Sequence, residues 1–259
     1  ISGHNNTALG FEALQAATVS NNTALGYQAG LLIGTGIQNV FVGSNAGDAT
    51  DDGTNNVGVG HGALSANCGA SNTGIGHQAL SVCLASNNTA VGQNAQVLVT
   101  DGAQNTSLGA YALQTTTTGT YNIGIGYNSN SSSATVSGEC TLGDANINNL
   151  RCNDQSISAL SDSRDKTDVI DSPYGLDFIN TVRPVQFKWE SRDGNVKDGS
   201  TRIGFIAQEL LTATDGNNAV LDLVMDNNPD KLEAKYGNLL PIAIQAIQEL
   251  SAQVEALTA

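Results

Sequence analysis

The chain has 259 residues, a length that admits two domains, and carries 24 acidic against 10 basic side chains for a net charge of −14. Residues 1–160 hold one basic side chain, Arg151, and eight acids, while residues 161–259 hold nine basic and sixteen acidic ones. There is no basic patch to neutralise phosphates and no apolar run near the ~20 residues of a membrane span, so nucleic-acid binding and membrane insertion are set aside.

The first 130 residues repeat one motif. It begins at Asn6, Asn22, Asn39, Asn56, Asn72, Asn88, Asn105 and Asn122, at intervals of 16 or 17 residues, and a degenerate ninth copy begins at Cys140. The unit reads N-x-x-(Leu/Ile/Val)-G-x-x-Ala, too short for a helical pair. A branched apolar residue recurs at Leu9, Leu25, Val42, Val59, Ile75, Val91, Leu108 and Ile125. A small one follows four places later, from Ala13 to Ser129. The glycine between them suits φ > 0 or the close approach of a neighbouring rung, and the asparagine suits a turn or a stacked side-chain ladder. The expected fold is a β-roll or β-solenoid of short strands, one rung per repeat, each rung burying one or two apolar side chains and held by its neighbours. A core this thin gains by packing against copies of itself.

These repeats resemble the left-handed β-roll heads of trimeric autotransporter adhesins and similar repeats in phage tail fibres. The resemblance implies a parallel trimer about a common axis. The residue after each repeat glycine varies (Phe11, Tyr27, Ser44, His61, His77, Gln93, Ala110, Tyr127), and His61 and His77 are expected to stack. A metal or glycan column there is one reading, and a plain exposed face is the preferred one. Cys68 and Cys83 lie one repeat apart and read as small buried apolar groups. With Cys140 and Cys152 they form no C-x-x-C pair, so neither a metal site nor a cofactor is expected. The chain opens inside a repeat and reads as the C-terminal piece of something longer.

After 130 the period fails. Residues 131–160 read as a Ser-rich spacer followed by an alternating, strand-like stretch, and 161–259 as a small α+β domain. In chain order, a helix is expected over 172–182 with Ser172 as N-cap and Pro173 in its first turn. A strand follows at "RPVQFKWE" with Val185, Phe187 and Trp189 on one face, then a turn at 193–199. "TRIGFIAQEL" passes from strand to helix, and "NAVLDLVMD" reads as a strand broken by Asn228-Pro229. The C-terminus is a long helix with a heptad seam at Leu240, Ala243, Ile247, Leu250, Val254 and Leu257. Two readings of it stand: an amphipathic helix docked on its own domain, or a coiled coil that gathers three chains.

Between the halves lies "LSDSRDK", residues 160–166. Ser161 there is either an N-cap before a polar turn or a nucleophile with Lys166 as its base. A serine hydroxyl needs a base, and a lysine serves only when neutral, which burial and a neighbouring cation such as Arg164 promote. Asp162 and Asp165 oppose this unless they face elsewhere, for instance fixing Arg164. Attack on the adjacent Leu160–Ser161 peptide is intramolecular and gains from proximity.

"LSDSRDK", "RPVQFKWE", "GFIAQEL" and "LLPIAIQAIQEL", in this order, resemble the intramolecular chaperone domain of endosialidases, which also caps phage tail spikes, neck appendages and some fibres. The family's S-D-x-R-x-K signature is matched by Ser161, Asp162, Arg164 and Lys166, and "GFIAQE" by Gly204 to Glu209. The resemblance implies a homotrimer on a virion tail fibre, assembled in the host cytoplasm. Its last domain sets the register of the shaft and then cuts itself off before Ser161, with Ser161 as nucleophile and Lys166 as base. A host-surface glycan or receptor is the implied partner. The alternative is a non-cleaving adhesin with a permanent trimerisation cap. A glycan-degrading spike finds no support, since Glu12 and Glu139 stand isolated and glycoside cleavage needs two carboxylates about one bond.

Overall fold

A computed structural model of the chain describes residues 3–147, 149–153, 157, 160–190 and 199–258. It divides into two units, Ile1–Ile147 and Asn148–Ala259. The first is a β-solenoid. Nine three-residue strands, β1 (Thr7–Leu9), β2 (Thr23–Leu25), β3 (Val40–Val42), β4 (Val57–Val59), β5 (Thr73–Ile75), β6 (Thr89–Val91), β7 (Thr106–Leu108), β8 (Ile123–Ile125) and β9 (Cys140–Leu142), form one parallel sheet in sequence order. Each residue pairs with its counterpart one repeat on, as Thr73 with Thr89 and Ile75 with Val91. The degenerate copy at Cys140 is thus the ninth rung.

The repeat residues have distinct duties. The motif asparagines from Asn22 to Asn122 are buried, and the side-chain oxygen of each accepts the backbone N–H at the start of the next rung: Asn88 N–H to Asn72 Oδ1 at 2.9 Å, and Asn105 N–H to Asn88 Oδ1 at 3.0 Å. The side-chain amide donates to a carbonyl of the returning loop, as Asn88 Nδ2 to Gly102 O at 2.8 Å. The ladder ends where Glu139 replaces asparagine and donates its N–H to Asn122 Oδ1. The glycine meets both expectations at once. Gly92 has φ +139°, and a Cβ there would lie 2.4 Å from the carbonyl oxygen of Gly109 on the next rung.

The core is built from residues other than the recurrent branched column. Inside lie Ala13, Ala29, Ala46, Ala63, Ala79, Ala95 and Ala112, with Leu14, Leu64, Leu80 and Leu113 beside them. The central strand residue also points inward and is small (Ala24, Gly58, Gly74, Ala90, Ser107, Gly124), except for Phe41. The walls stand too close for more, since a Cβ on Gly124 would meet Leu113 Cγ at 2.8 Å. Phe41 fits because Gly47 opposes it, where a Cβ would lie 2.4 Å from the ring. The first and third strand residues therefore face out, including Leu25, Ile75 and Leu108. Cys68 and Cys83 are buried thiols without a disulfide, and burial pushes the Cys83 thiol up to about 11.

The second unit is a small domain ending in a long helix. It contains α1 (Leu176–Ile179), the antiparallel pair β10 (Val185–Lys188) and β11 (Thr201–Gly204), α2 (Ala207–Ala213), α3 (Asn218–Leu221), the pair β12 (Val224–Met225) and β13 (Glu233–Ala234), and α4 (Leu239–Thr258). Its core joins Leu210, Leu221, Leu223, Val224, Leu239 and Ile242, with Phe178 and Phe205 packed against them.

Several local expectations are revised. Ser172 does not cap a helix: its hydroxyl closes a tight turn by accepting the Tyr174 N–H, and α1 begins only after Gly175. "NAVLDLVMD" is a strand only at its end, because Asp222 takes a left-handed conformation (φ 47°) that stops α3 first. The Asn218 side chain then pairs with both backbone groups of Val224. No strand occurs among the described residues of 147–160, and the turn expected at 193–199 lies outside the described residues except for Gly199.

Candidate functional site

The segment 160–168 folds on itself through charge and hydrogen bonding alone. Ser163–Asp165 form a single 3-10 turn that buries no residue. Asp162, not Ser161, caps it, with Oδ1 accepting the Arg164 N–H at 2.9 Å. The same carboxylate grips the Arg164 guanidinium, from Nε to both oxygens and from Nη2 to Oδ2 at 2.6 Å. This pairing draws the Asp162 carboxyl below its ordinary value, by the guanidinium first and the backbone N–H second, and raises Arg164. Arg164 is therefore spoken for as a cation, and Asp162 faces it as the sequence reading required.

At the end of the turn Lys166 is extended (φ −121°, ψ 139°), which swings its side chain back along the segment. Lys166 Nζ reaches Ser161 Oγ at 2.7 Å. A serine hydroxyl beside a lysine amine, one bond from a peptide, can attack that peptide if the amine is free to take the proton. Leu160 is fully exposed, and Ser161 and Lys166 are exposed too. A lysine that is to act as a base must be shielded from water, so the pair as seen in one chain has the right contact without the cover.

The remaining motifs link to one another within the second unit. Arg183 of "RPVQFKWE" makes a two-pronged ion pair with Glu209 of "GFIAQE", with Nε to Oε2 at 2.9 Å and Nη2 to Oε1. Gly204 lies under Tyr236, whose hydroxyl would be 2.6 Å from a Cβ there and accepts the Phe205 N–H. Glu249 of the last motif accepts the Leu176 N–H at 2.7 Å and supplies α1 with the cap that Ser172 does not. That bond, then one from Gln245, holds the Glu249 carboxyl below its ordinary value.

Four sequence motifs thus become a self-stapled turn, a hairpin pinned to a helix and a helix end capped by the C-terminal helix. A family comparison matches part of this unit. Residues 161–221 match the family described as chaperone of endosialidase. That match, placed after the β-repeats, is consistent with an endosialidase-type chaperone domain. No curated protein and no solved structure is significantly similar to the chain.

The long helix of the second unit carries two apolar faces, one buried and one exposed. Leu239, Ile242 and Ala246 are buried against the domain. The heptad seam lies on the neighbouring face and is bare: Leu240 64 %, Ile247 67 %, Leu250 49 %, Val254 52 % and Leu257 87 % exposed. On the solenoid, the His61 and His77 rings stack 5.3 Å apart, as do those of Phe11 and Tyr27 at 5.5 Å. Among the described residues no three His, Cys, Asp or Glu side chains gather as a metal site, and no helix is long and apolar enough to cross a membrane.

The sequence reading missed Glu249, Tyr236 and the Arg183–Glu209 pair. For Arg183 and Glu209 a signal existed, since each sits inside a motif already singled out. For Glu249, 73 residues from its partner, there was none.

Proposed function

We propose that this chain is the C-terminal part of a trimeric, tail-fibre-type shaft whose second unit is a single-use intramolecular chaperone. Three copies gather through the bare seam of α4, the gathered domains set the three shafts in phase, and the domain then leaves by self-cleavage at Leu160–Ser161. The Lys166 Nζ–Ser161 Oγ contact of 2.7 Å, beside an exposed Leu160, carries the cleavage part. The family match and the fibre-like solenoid support the chaperone part.

The step balances within one chain and one water. Lys166 takes the hydroxyl proton as Ser161 Oγ attacks the Leu160 carbonyl carbon. The C–N bond breaks, the acyl group passes to oxygen as an ester, and the freed Ser161 amine takes a proton. Water then hydrolyses the ester, leaving a Leu160 carboxylate and the serine hydroxyl. The cover the lysine needs comes from a neighbouring copy in the trimer. A near-repetitive shaft slips by one rung at little cost, and a unique trimeric domain removes that ambiguity. Its release leaves the product held by its unfolding barrier. The site of action is a virion tail fibre assembled in the host cytoplasm. Exposed rings such as Phe11, Tyr27 and Tyr127 offer a host glycan or receptor something to touch.

One observation favours a second reading, a permanent trimerisation cap: both dyad members are solvent-exposed. Denatured masses of the parent and of Ser161→Ala separate the two. Self-cleavage gives fragments 1–160 and 161–259 from the parent alone. An intact parent that still forms trimers leaves the domain as a lasting cap.

A further inference from the structure

We propose that Cys68 and Cys83 are the site of an inter-rung disulfide, a covalent staple across the fourth and fifth rungs that closes when the shaft folds in the presence of a small-molecule disulfide. The place eleven residues after the motif asparagine lines the interior, and Ile33, Thr50, Cys83, Val99 and Thr116 hold it, all fully buried. In the rung of Asn56 that place falls to Asn67, which is exposed. The chain makes a detour there. Cys68 N–H donates to Ala66 O at 2.8 Å in a tight turn, and Asn67 swings out to accept the Asp51 N–H at 2.8 Å. Cys68 drops into the interior column instead, with its sulfur 3.2 Å from Thr50 Oγ1 of the rung before. The residue after it, Gly69, donates to the carbonyls of Leu84 and Ala85, the two residues that follow Cys83. The detour thus sets the two cysteines on neighbouring rungs of one interior column.

Neighbouring rungs stand about 4.8 Å apart, inside the span of about 4.4–6.8 Å between Cα atoms that a disulfide bridges. The two thiols also feel each other: burial raises Cys83 first, and a charge on Cys68 raises it further. Forming the bond strands no buried group. Thr50 Oγ1 keeps the carbonyls of Leu64 and Ala66 as acceptors, and Ala85 O, which accepts the Cys83 thiol at 3.6 Å, still receives the Asn72 amide at 2.8 Å. Only a thiolate attacks a disulfide, so the buried thiols of the closed shaft are inert and the exchange runs while these rungs are open. One cysteine thiolate attacks oxidised glutathione, forming a mixed disulfide and releasing one glutathione. The other cysteine thiolate attacks the cysteine sulfur of that mixed disulfide and releases the second. Two cysteine thiols are oxidised, one glutathione disulfide is reduced to two thiols, and the two cysteine protons end on them. The closing rungs then seal the bond from reductants. In reducing surroundings the same two residues remain apolar fillers of the core.

The test refolds the full chain from urea in a buffer of oxidised and reduced glutathione, and in parallel with reductant alone. Remaining thiols are alkylated after denaturation, and the unreduced peptides are mapped by mass. The expected result is that the peptides of Cys68 and Cys83 are recovered linked to each other, lighter by two hydrogens. The unfolding midpoint should exceed that of the reduced chain by at least about 5 °C, because the bridge shortens the open chain's freedom, and Cys83→Ser should show no difference between the two buffers. A water-soluble phosphine should reduce the bond at least about tenfold more slowly in the folded chain than in the unfolded one. A folded chain whose two thiols are both alkylated, or in which either is held by glutathione, Cys140 or Cys152, overturns the proposal. So does a linked pair that leaves the midpoint unchanged. Should the chain not refold from urea, the same mapping on folded chain held in the glutathione buffer just below its urea midpoint decides between the same outcomes.

Discussion

The asparagine ladder makes the sharpest quantitative claim. In Asn88→Ala the backbone of residue 88 still donates to Asn72, but two buried groups lose their partner, one on the next rung and one in the returning loop of the same rung. These are the Asn105 N–H, which Asn88 Oδ1 accepts at 3.0 Å, and the Gly102 carbonyl, which takes the amide at 2.8 Å. A buried group left unpaired costs roughly 1–3 kcal/mol, so the substitution should destabilise the solenoid by about 2–6 kcal/mol. The loss should spread to adjoining rungs, because each rung is held by its neighbours. Urea denaturation followed by circular dichroism reads the total, and amide hydrogen exchange reads the place: Asn105 should lose protection first. If stability falls by less than about 1 kcal/mol and the Asn105 amide stays protected, the ladder is ornamental and the solenoid is held by its alanine and leucine interior.

The repeat glycine gives a second expectation: Gly92→Ala forces an L-residue to φ +139° and sets a methyl 2.4 Å from Gly109 O, so it should lower the unfolding midpoint more than Gly138→Ala, where nothing lies within 4 Å. Gly138 also has positive φ, but at 79°, so the difference between the two variants combines the clash with the greater strain at +139°. Glu249 gives a pH expectation. Its folded pKa is lowered by the Leu176 N–H first, so its stabilising contribution is present above the unfolded value and is lost as pH falls through the folded one. Acid titration of the domain's stability should therefore be shallower in Glu249→Gln than in the parent, and equal slopes would remove Glu249 as the cap of α1.

Much of this architecture was legible because a solenoid is a local fold. A residue's main neighbours are its own counterparts 16 or 17 places away, so the period, the strand positions, the asparagine ladder and the His61–His77 stack all follow from aligning the chain on itself. The contact of Ser161 with Lys166 was legible for a similar reason. Ser161 and Lys166 are five residues apart, and the Asp162–Arg164 clamp that folds the turn lies between them. The role of Ser172 was misread because an N-cap is decided by where the helix starts. Gly175 leaves room for Glu249, whose carboxylate would lie 2.2 Å from a Cβ there, and that carboxylate does the capping.

The sequence by itself determined the repeat, its one-rung-per-motif stacking, the change of character once the repeats end and the separated motifs of the second unit. Only the tertiary structure decided which side of each element is covered. A three-residue strand with apolar or small side chains at every position does not declare its inner face. That choice is made by the opposite wall, which stands so near that alanine and glycine go in and the branched residues go out. In α4 the helical period places two apolar faces side by side, and the contacts of Leu239, Ile242 and Ala246 with the rest of the domain determine which is used within the chain. In both units the face left over is apolar, because burial within one chain uses only one side of a thin element.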